Sequence, residues 1–312
     1  MDRMFGGVEG GGTKMVCVIG SGPGHVVDEI RFPTTTPAET LGRIIAFFQR
    51  PRDGVRLAAV GVGSFGPIDL DPVSPTYGYV TTTPKPQWEG TDVVGPLRDA
   101  LGIPIGWDTD VNGAALGERR WGAGQGIDPL VYLTVGTGIG GGALVHGRPL
   151  HGLLHPEMGH LLVPTFDDDT FPGTCPFHGR CLEGVASGTA LRARTGCPAQ
   201  DLAPDDPVWD LEAQYLAFGL LCITEILSPR RIVVGGGVPS QPHLFEPMRR
   251  HLTRLNRGYI ARLAADVSDY IVRPGLGNEA GVMGALELAR LAFEGETDEP
   301  RKPNVPPGQP ER

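Results

Sequence analysis

Two apolar blocks flank Gly10-Gly11-Gly12 between residues 4 and 32, and a third, shorter block follows Ser21-Gly22-Pro23-Gly24. Short apolar blocks bounded by turn residues predict a meander of strands. Over 37–49, Leu41, Ile44, Ile45 and Phe48 fall on one helical face, and 55–62 then reads as a buried strand. Helix and strand alternate from there. A short helix is predicted over 93–101, a strand over 103–107, and a helix over 112–121 that starts just after Asp108, Thr109 and Asp110. Polar side chains therefore gather at the carboxyl end of a strand.

A second glycine-rich hairpin, 130–145 around Gly136-Thr137-Gly138-Ile139-Gly140-Gly141-Gly142, repeats the character of the N-terminal meander, which points to two similar halves. After an irregular stretch over 151–180, helices are predicted at 182–194 and 208–227, and a strand at 232–234 ends in Gly235-Gly236-Gly237. Helices near 247–263 and 279–293 follow. The stretch 295–312 is polar and Pro-rich, has almost nothing to bury and is expected to be disordered.

With 312 residues, 40% of them hydrophobic, the chain can build two ordinary cores. A net charge of −9, from 27 basic and 36 acidic residues, gives no general attraction to nucleic acid or an anionic membrane. No apolar run approaches the ~20 residues of a membrane span, and the N-terminus lacks a secretory pattern, so a cytoplasmic location is expected. Five cysteines are too few, and odd in number, for a secreted disulfide framework.

Three glycine loops are candidate anion cradles. In Gly10-Gly11-Gly12-Thr13-Lys14 the backbone N–H groups can converge on a phosphate beside a hydroxyl and an ammonium. Neither the Walker spacing nor a dinucleotide fingerprint is present, and an ordinary hairpin is the plain alternative. Similar loops at 136–142 and 235–237 favour nucleotide binding over three unrelated turns, because bare backbone permits close approach.

The segment Cys175-Pro-Phe-His178-Gly-Arg-Cys181 offers two thiolates and an imidazole at metal-ligand spacing. Either His155 or His160 can complete a closed tetrahedral zinc site, and such a site is structural because no position is left for water. Two free thiols beside surface histidines would be the alternative. Asp110 can accept a proton from an attacking alcohol, against the alternative that it merely caps a helix. Glu157 and Glu183 can accept hydrogen bonds from sugar hydroxyls, or simply be solvated.

Seven ordered motifs resemble the ROK family of sugar kinases and sugar-responsive repressors, and more narrowly its bacterial fructokinase branch. They are Gly7-Val-Glu-Gly-Gly-Gly-Thr-Lys14, Gly63-Ser-Phe-Gly-Pro-Ile-Asp69, Thr109-Asp-Val-Asn-Gly-Ala-Ala115, Thr134-Val-Gly-Thr-Gly-Ile-Gly140, His155-Pro-Glu-Met-Gly-His160, Cys175-Pro-Phe-His-Gly-Arg-Cys-Leu-Glu-Gly184 and Gly277-Asn-Glu-Ala-Gly281. The resemblance implies an α/β, two-lobed actin-like (ribonuclease H-like) fold. Its N-terminal lobe would hold 1–112 with about 286–294, and its C-terminal lobe 113–285 with a zinc-binding loop over 155–184.

By the same resemblance, Asp110 is the catalytic base, and Glu157, His160 and Glu183 hold the sugar with it. Glu9, Gly11, Gly12, Thr13, Lys14, Thr137, Gly138, Gly235, Gly236 and Gly237 contact ATP, and His160, Cys175, His178 and Cys181 hold structural zinc. The implied reaction is transfer of the γ-phosphate of MgATP to the 6-hydroxyl of D-fructose, by a homodimer. Mannose, glucose or another hexose, or a catalytically silent sugar sensor, are the competing readings. Glu9 stands where Asp is usual, Thr109 where Asn is common, and His178 where many members carry Cys. Repressor members carry a DNA-binding segment ahead of the core, whereas here the first motif begins at Gly6, so a kinase is expected.

Overall fold

The computed structural model describes residues 3–166, 169–264 and 266–295. The tail expected to be disordered, apart from Gly295, lies outside the described residues. Strands β1 (Met4–Gly10), β2 (Lys14–Gly20) and β3 (Val26–Pro33) form the expected meander. Then follow α1 (Pro37–Gln49), β4 (Leu57–Ser64), the small pair β5 (Tyr79–Val80) and β6 (Thr91–Asp92), α2 (Val94–Leu101) and β7 (Ile105–Thr109). The second half runs α3 (Asp110–Trp121), β8 (Leu130–Val135), β9 (Ile139–Val145), β10 (Arg148–Pro149), α4 (Leu182–Ala186), α5 (Gly188–Thr195) and α6 (Val208–Leu227). It closes with β11 (Arg231–Gly235), α7 (Phe245–Asn256), β12 (Ile271–Val272) and α8 (Ala280–Glu294).

The two halves share one topology. The first sheet is ordered β3-β2-β1-β4-β7 and the second β10-β9-β8-β11-β12; each is an antiparallel meander extended by two parallel strands. Strand alternation sends residues to opposite faces. Met15, Cys17 and Ile19 face the core shared with α1 and α2, while Val16 and Val18 face α8. In the second sheet Val131, Leu133 and Val135 join the core built with α6 and α7, and Leu130 and Tyr132 pack with α3.

Helices α3 and α8 cross between the halves at backbone contact distance. A Cβ on Gly284 would lie 1.8 Å from the carbonyl oxygen of Gly113, so only glycine permits this crossing. The helix expected over 182–194 is two helices, because Ser187 is extended at φ −83°, ψ 165° and caps α5 by accepting from the N–H of Ala190. The helix expected near 247–263 stops at Asn256, where Arg257 adopts a left-handed conformation at φ 49°. Strands β10 and β12 carry two residues each, too few to show a period in the sequence. Among the described residues no helix is long and apolar enough to cross a membrane.

Candidate active site

Strand β7 delivers Asp110 to the junction of the two halves. Thr109, rather than Asp110, is the N-cap of α3: its Oγ1 accepts from the N–H of Asn112 at 3.1 Å. Asp110 therefore occupies the first helical position, and among side-chain and backbone donors its Oδ1 receives the Val111 N–H at 2.9 Å. The carboxylate is not consumed by capping. Its Cα lies 3.3 Å from where a Cβ on Gly63 would sit, so the end of β4 packs tightly beneath it. Burial, then the charge of Glu9, and more weakly that of Glu157, push Asp110 up to about 7, although the Val111 amide pulls the other way. A carboxylate so placed sits near its own midpoint at neutral pH, the condition under which a general base works best.

Glu9 ends β1 against α8, where a Cβ on Gly281 would lie 2.7 Å from its carboxyl carbon. Burial raises its pKa, while Lys14 and Arg31 pull it down. The following turn is closed by the Gly11 N–H donating to the Lys14 carbonyl at 3.0 Å, and it is braced by Thr34, whose Oγ1 donates to the Gly11 carbonyl at 2.7 Å. Thr13 and Lys14 are exposed and Gly11 and Gly12 half-buried, which leaves the turn open to a ligand.

The other two glycine loops adjoin one another. Val238 donates its N–H to the Val135 carbonyl at 3.0 Å, and Gly236, at φ 98°, lies so close to that carbonyl that a Cβ would be 2.4 Å from it. Gly188 at the start of α5 donates to the Gly136 carbonyl at 2.8 Å, and Thr189 Oγ1 to the Thr137 carbonyl at 2.7 Å. Glu183 Oε2 accepts the Ile139 N–H at 2.9 Å and lies 2.4 Å from where a Gly138 Cβ would be. One carboxylate thus ties the start of α4 to the second glycine loop.

Glu157 precedes and His160 ends a short 3₁₀ turn, Met158–His160, seated on β9. Burial, and then the charge of Glu183, raise Glu157 to about 7. Its Oε2 is 4.0 Å from His160 Nε2. The other nitrogen of that ring, Nδ1, lies 3.5 Å from Cys181 Sγ and 3.8 Å from Cys175 Sγ, and Cys175 Sγ is 3.7 Å from His178 Nδ1. All four ligand atoms fall within 4.8 Å of one another. Zinc bonds of about 2.3 Å to sulfur and 2.0 Å to nitrogen set the corners of a tetrahedron about 3.3–3.8 Å apart, so the cluster fits the ion in both chemistry and spacing. His155 is not part of this cluster; it turns toward Ile68, whose N–H donates to its Nε2 at 3.2 Å.

A protein-family model described as the ROK family matches residues 5–292. The chain belongs to the ROK family. It is 45% identical over 295 residues to the fructokinase of Zymomonas mobilis, spanning 93% of this chain and 97% of the relative. Against a glucokinase of Halalkalibacterium halodurans identity falls to 29% over 330 residues, covering 93% and 96% of the two chains. The crystal structure of a ROK family glucokinase from Streptomyces griseus in complex with glucose and AMPPNP superposes with a TM-score of 0.73 at 26% identity, covering 92% of this chain and 99% of that one. The two-lobed actin-like fold expected from the motifs is the fold observed.

Two acidic groups, Asp108 and Asp169, lie just outside the ROK motifs. Asp108, buried at the end of β7, accepts from Asn112 Nδ2 at 2.7 Å and meets His151 Nε2 at 3.0 Å. Asp169 is the hub of a second cluster: Arg194 contacts it at 2.6 and 3.1 Å, Tyr215 donates to it at 2.7 Å, and Arg180 lies 3.4 Å away while also bonding Tyr215 and the Phe171 carbonyl. Hydrogen bonds from Arg194 and Tyr215 outweigh burial and hold the Asp169 carboxyl far below its usual range. Arg180 sits between His178 and Cys181, so this cluster pins the metal-ligand loop to α5 and α6.

Proposed function

We propose that this ROK chain is a cytoplasmic, ATP-dependent fructokinase that converts D-fructose to fructose 6-phosphate. The observation that carries the reading is the position of Asp110. It is freed from capping by Thr109, and it feels the charges of Glu9, beside the first glycine turn, and of Glu157. In the proposed step the Asp110 carboxylate accepts the 6-hydroxyl proton as that oxygen attacks the γ-phosphorus of MgATP, with ADP leaving in line. Glu157, His160 through Nε2, and Glu183 hold the remaining hydroxyls.

The turn over Gly11, Gly12, Thr13 and Lys14 receives phosphate oxygens, and the adjoining loops at Thr137-Gly138 and Gly235-Gly236-Gly237 receive the rest of the nucleotide. His160, Cys175, His178 and Cys181 hold zinc, which supplies a fixed corner for the loop carrying Glu183. Lobes of 1–112 with 286–294 and of 113–285 would close on these ligands. A homodimer is part of the proposal, and the exposed apolar side chains Leu153, Leu162, Phe177 and Ile226 near the metal loop support it.

Coupled ADP-release assays with fructose, mannose, glucose and N-acetylmannosamine test the function. Fructose is expected to give the highest kcat/KM. A higher value with another hexose would reassign the substrate, and flat traces with every sugar would overturn the kinase reading in favour of a sensor.

A further inference from the structure

His155 lies outside the metal cluster and outside the set of groups assigned to the sugar, yet one ring nitrogen is hydrogen-bonded and the other faces a carboxylate. The ring is 6% exposed. Its Nε2 receives the Ile68 N–H at 3.2 Å, so that nitrogen is an acceptor and the proton of the neutral ring is on Nδ1. Burial lowers the pKa of the ring, against the pull of Asp108, and this keeps the neutral form. Nδ1 faces Glu157 Oε1 at 3.4 Å and also meets the Pro156 carbonyl.

The surroundings are shaped to admit the ring. A Cβ on Gly66 would lie 3.2 Å from His155 Cε1. Ile68 is fully buried in the core built on the first sheet, so its N–H is a fixed reference point. Residues 158–160, by contrast, are seated on β9 of the second sheet: a Cβ on Gly159 would meet the Ile139 carbonyl at 1.8 Å. His155 therefore ties the loop carrying Glu157 back to the other half of the molecule. Glu157 stands between two imidazoles, Oε1 toward His155 and Oε2 toward His160, the second anchored at the thiols.

We infer that His155 is a positioning residue: its Nδ1–H orients the Glu157 carboxylate toward the sugar, and its Nε2 registers that carboxylate against the Ile68 backbone of the opposite half. The inference rests on the proposed role of Glu157 in sugar binding. A half-exposed glutamate otherwise samples several rotamers, and small misplacements of a positioning group are costly in rate and affinity.

The two nitrogens can be tested separately. In His155→Asn the side-chain amide lies near the Nδ1 position and can still donate to Glu157; in His155→Gln it reaches the Nε2 position and serves Ile68 instead. Sugar affinity is measured by calorimetry without nucleotide, alongside KM for fructose and for ATP and the zinc content of each protein. His155→Asn is expected to stay within about threefold of wild type in fructose KM and dissociation constant. His155→Gln is expected to weaken both about tenfold, with ATP KM and zinc content unchanged. In a Glu157→Gln background the difference between the two variants should vanish, since the group they orient has lost its charge.

Equal effects of the two variants, a larger loss in His155→Asn, or a loss that persists undiminished without Glu157 would overturn the inference. So would a parallel loss of zinc, which would mark the ring as a scaffold of the metal loop. Wild-type protein that neither binds nor phosphorylates a sugar would overturn the functional reading itself, a result distinct from any ranking of the variants.

Discussion

Replacing Asp110 with Asn should make the protein more stable and nearly inactive. Burial and Glu9 hold the native carboxyl near 7, against an ordinary value of 3.8. Because the folded pKa lies above the unfolded one, the native state binds the proton more tightly, and stability falls as pH rises from about 4 through about 7. Each unit is worth about 1.4 kcal/mol, so the charged carboxylate costs up to ~4 kcal/mol above pH 7, and cleft water reduces this to ~1–3 kcal/mol. The amide oxygen of Asn can still accept the Val111 N–H, so the variant removes the charge and little else. For a chain of this size the gain corresponds to a Tm rise of roughly 2–5 °C at pH 8, shrinking toward zero below pH 4.

General-base assistance is typically worth ~10²–10⁴-fold, so kcat should fall by at least the lower figure while fructose still binds. In the wild type, kcat/KM should climb with pH through about 7, because the base acts deprotonated. Calorimetric melting at pH 4 and pH 8, with ADP-release kinetics on the same samples, measures both halves. An Asp110→Asn protein with near-normal turnover, or with a Tm at pH 8 no higher than wild type, would refute the placement of this carboxylate in a charge-crowded cleft.

Chelating the metal from purified protein should loosen the loop over 155–184, read as faster hydrogen exchange there, and raise fructose KM more than ATP KM; exchange rates indifferent to zinc would count against a structural ion. Asp169→Asn should destabilise the same loop by ~1–3 kcal/mol at pH 7 by weakening the contacts to Arg194 and Tyr215. The native carboxyl is held low, so its contribution is present above about pH 4 and lost as pH falls, and the melting temperatures of wild type and variant should converge in acid. A gap between them that stays constant from pH 7 to pH 3 would show that charge plays no part.

The regular framework was legible because its signals are local and repeated. The period of α1, the meander of β1 to β3 and the second glycine hairpin each follow from a window of a dozen residues, and the repeated hairpin points to the two similar halves that share one topology. Cys175, His178 and Cys181 were legible for a different reason: soft ligands within one turn of chain have few other uses. What the pattern could not decide was which histidine joins them, since His155 and His160 both lie a short way upstream. Here the backbone decides, with His160 ending a 3₁₀ turn against β9 and His155 directed at the Ile68 amide.

The same limit applies to Asp110, Asp169 and Asp108, whose meaning lies in partners far along the chain. Thr109 and Asp110 are both good N-caps, and sequence cannot apportion the role; once Thr109 takes it, the neighbouring carboxylate is released into the field of Glu9, a residue about a hundred positions earlier. Asp169 lies within a run of acidic residues that reads as a solvated loop until Arg194 and Tyr215 close on it. Charges brought together by tertiary contact leave no periodic trace, because the two sides of each contact belong to different elements with their own packing constraints. The residues that stay hidden are therefore those whose partners lie far along the chain, and His155, with one nitrogen toward Ile68 and the other toward Glu157, is the case where such a contact reaches the group proposed to hold the sugar.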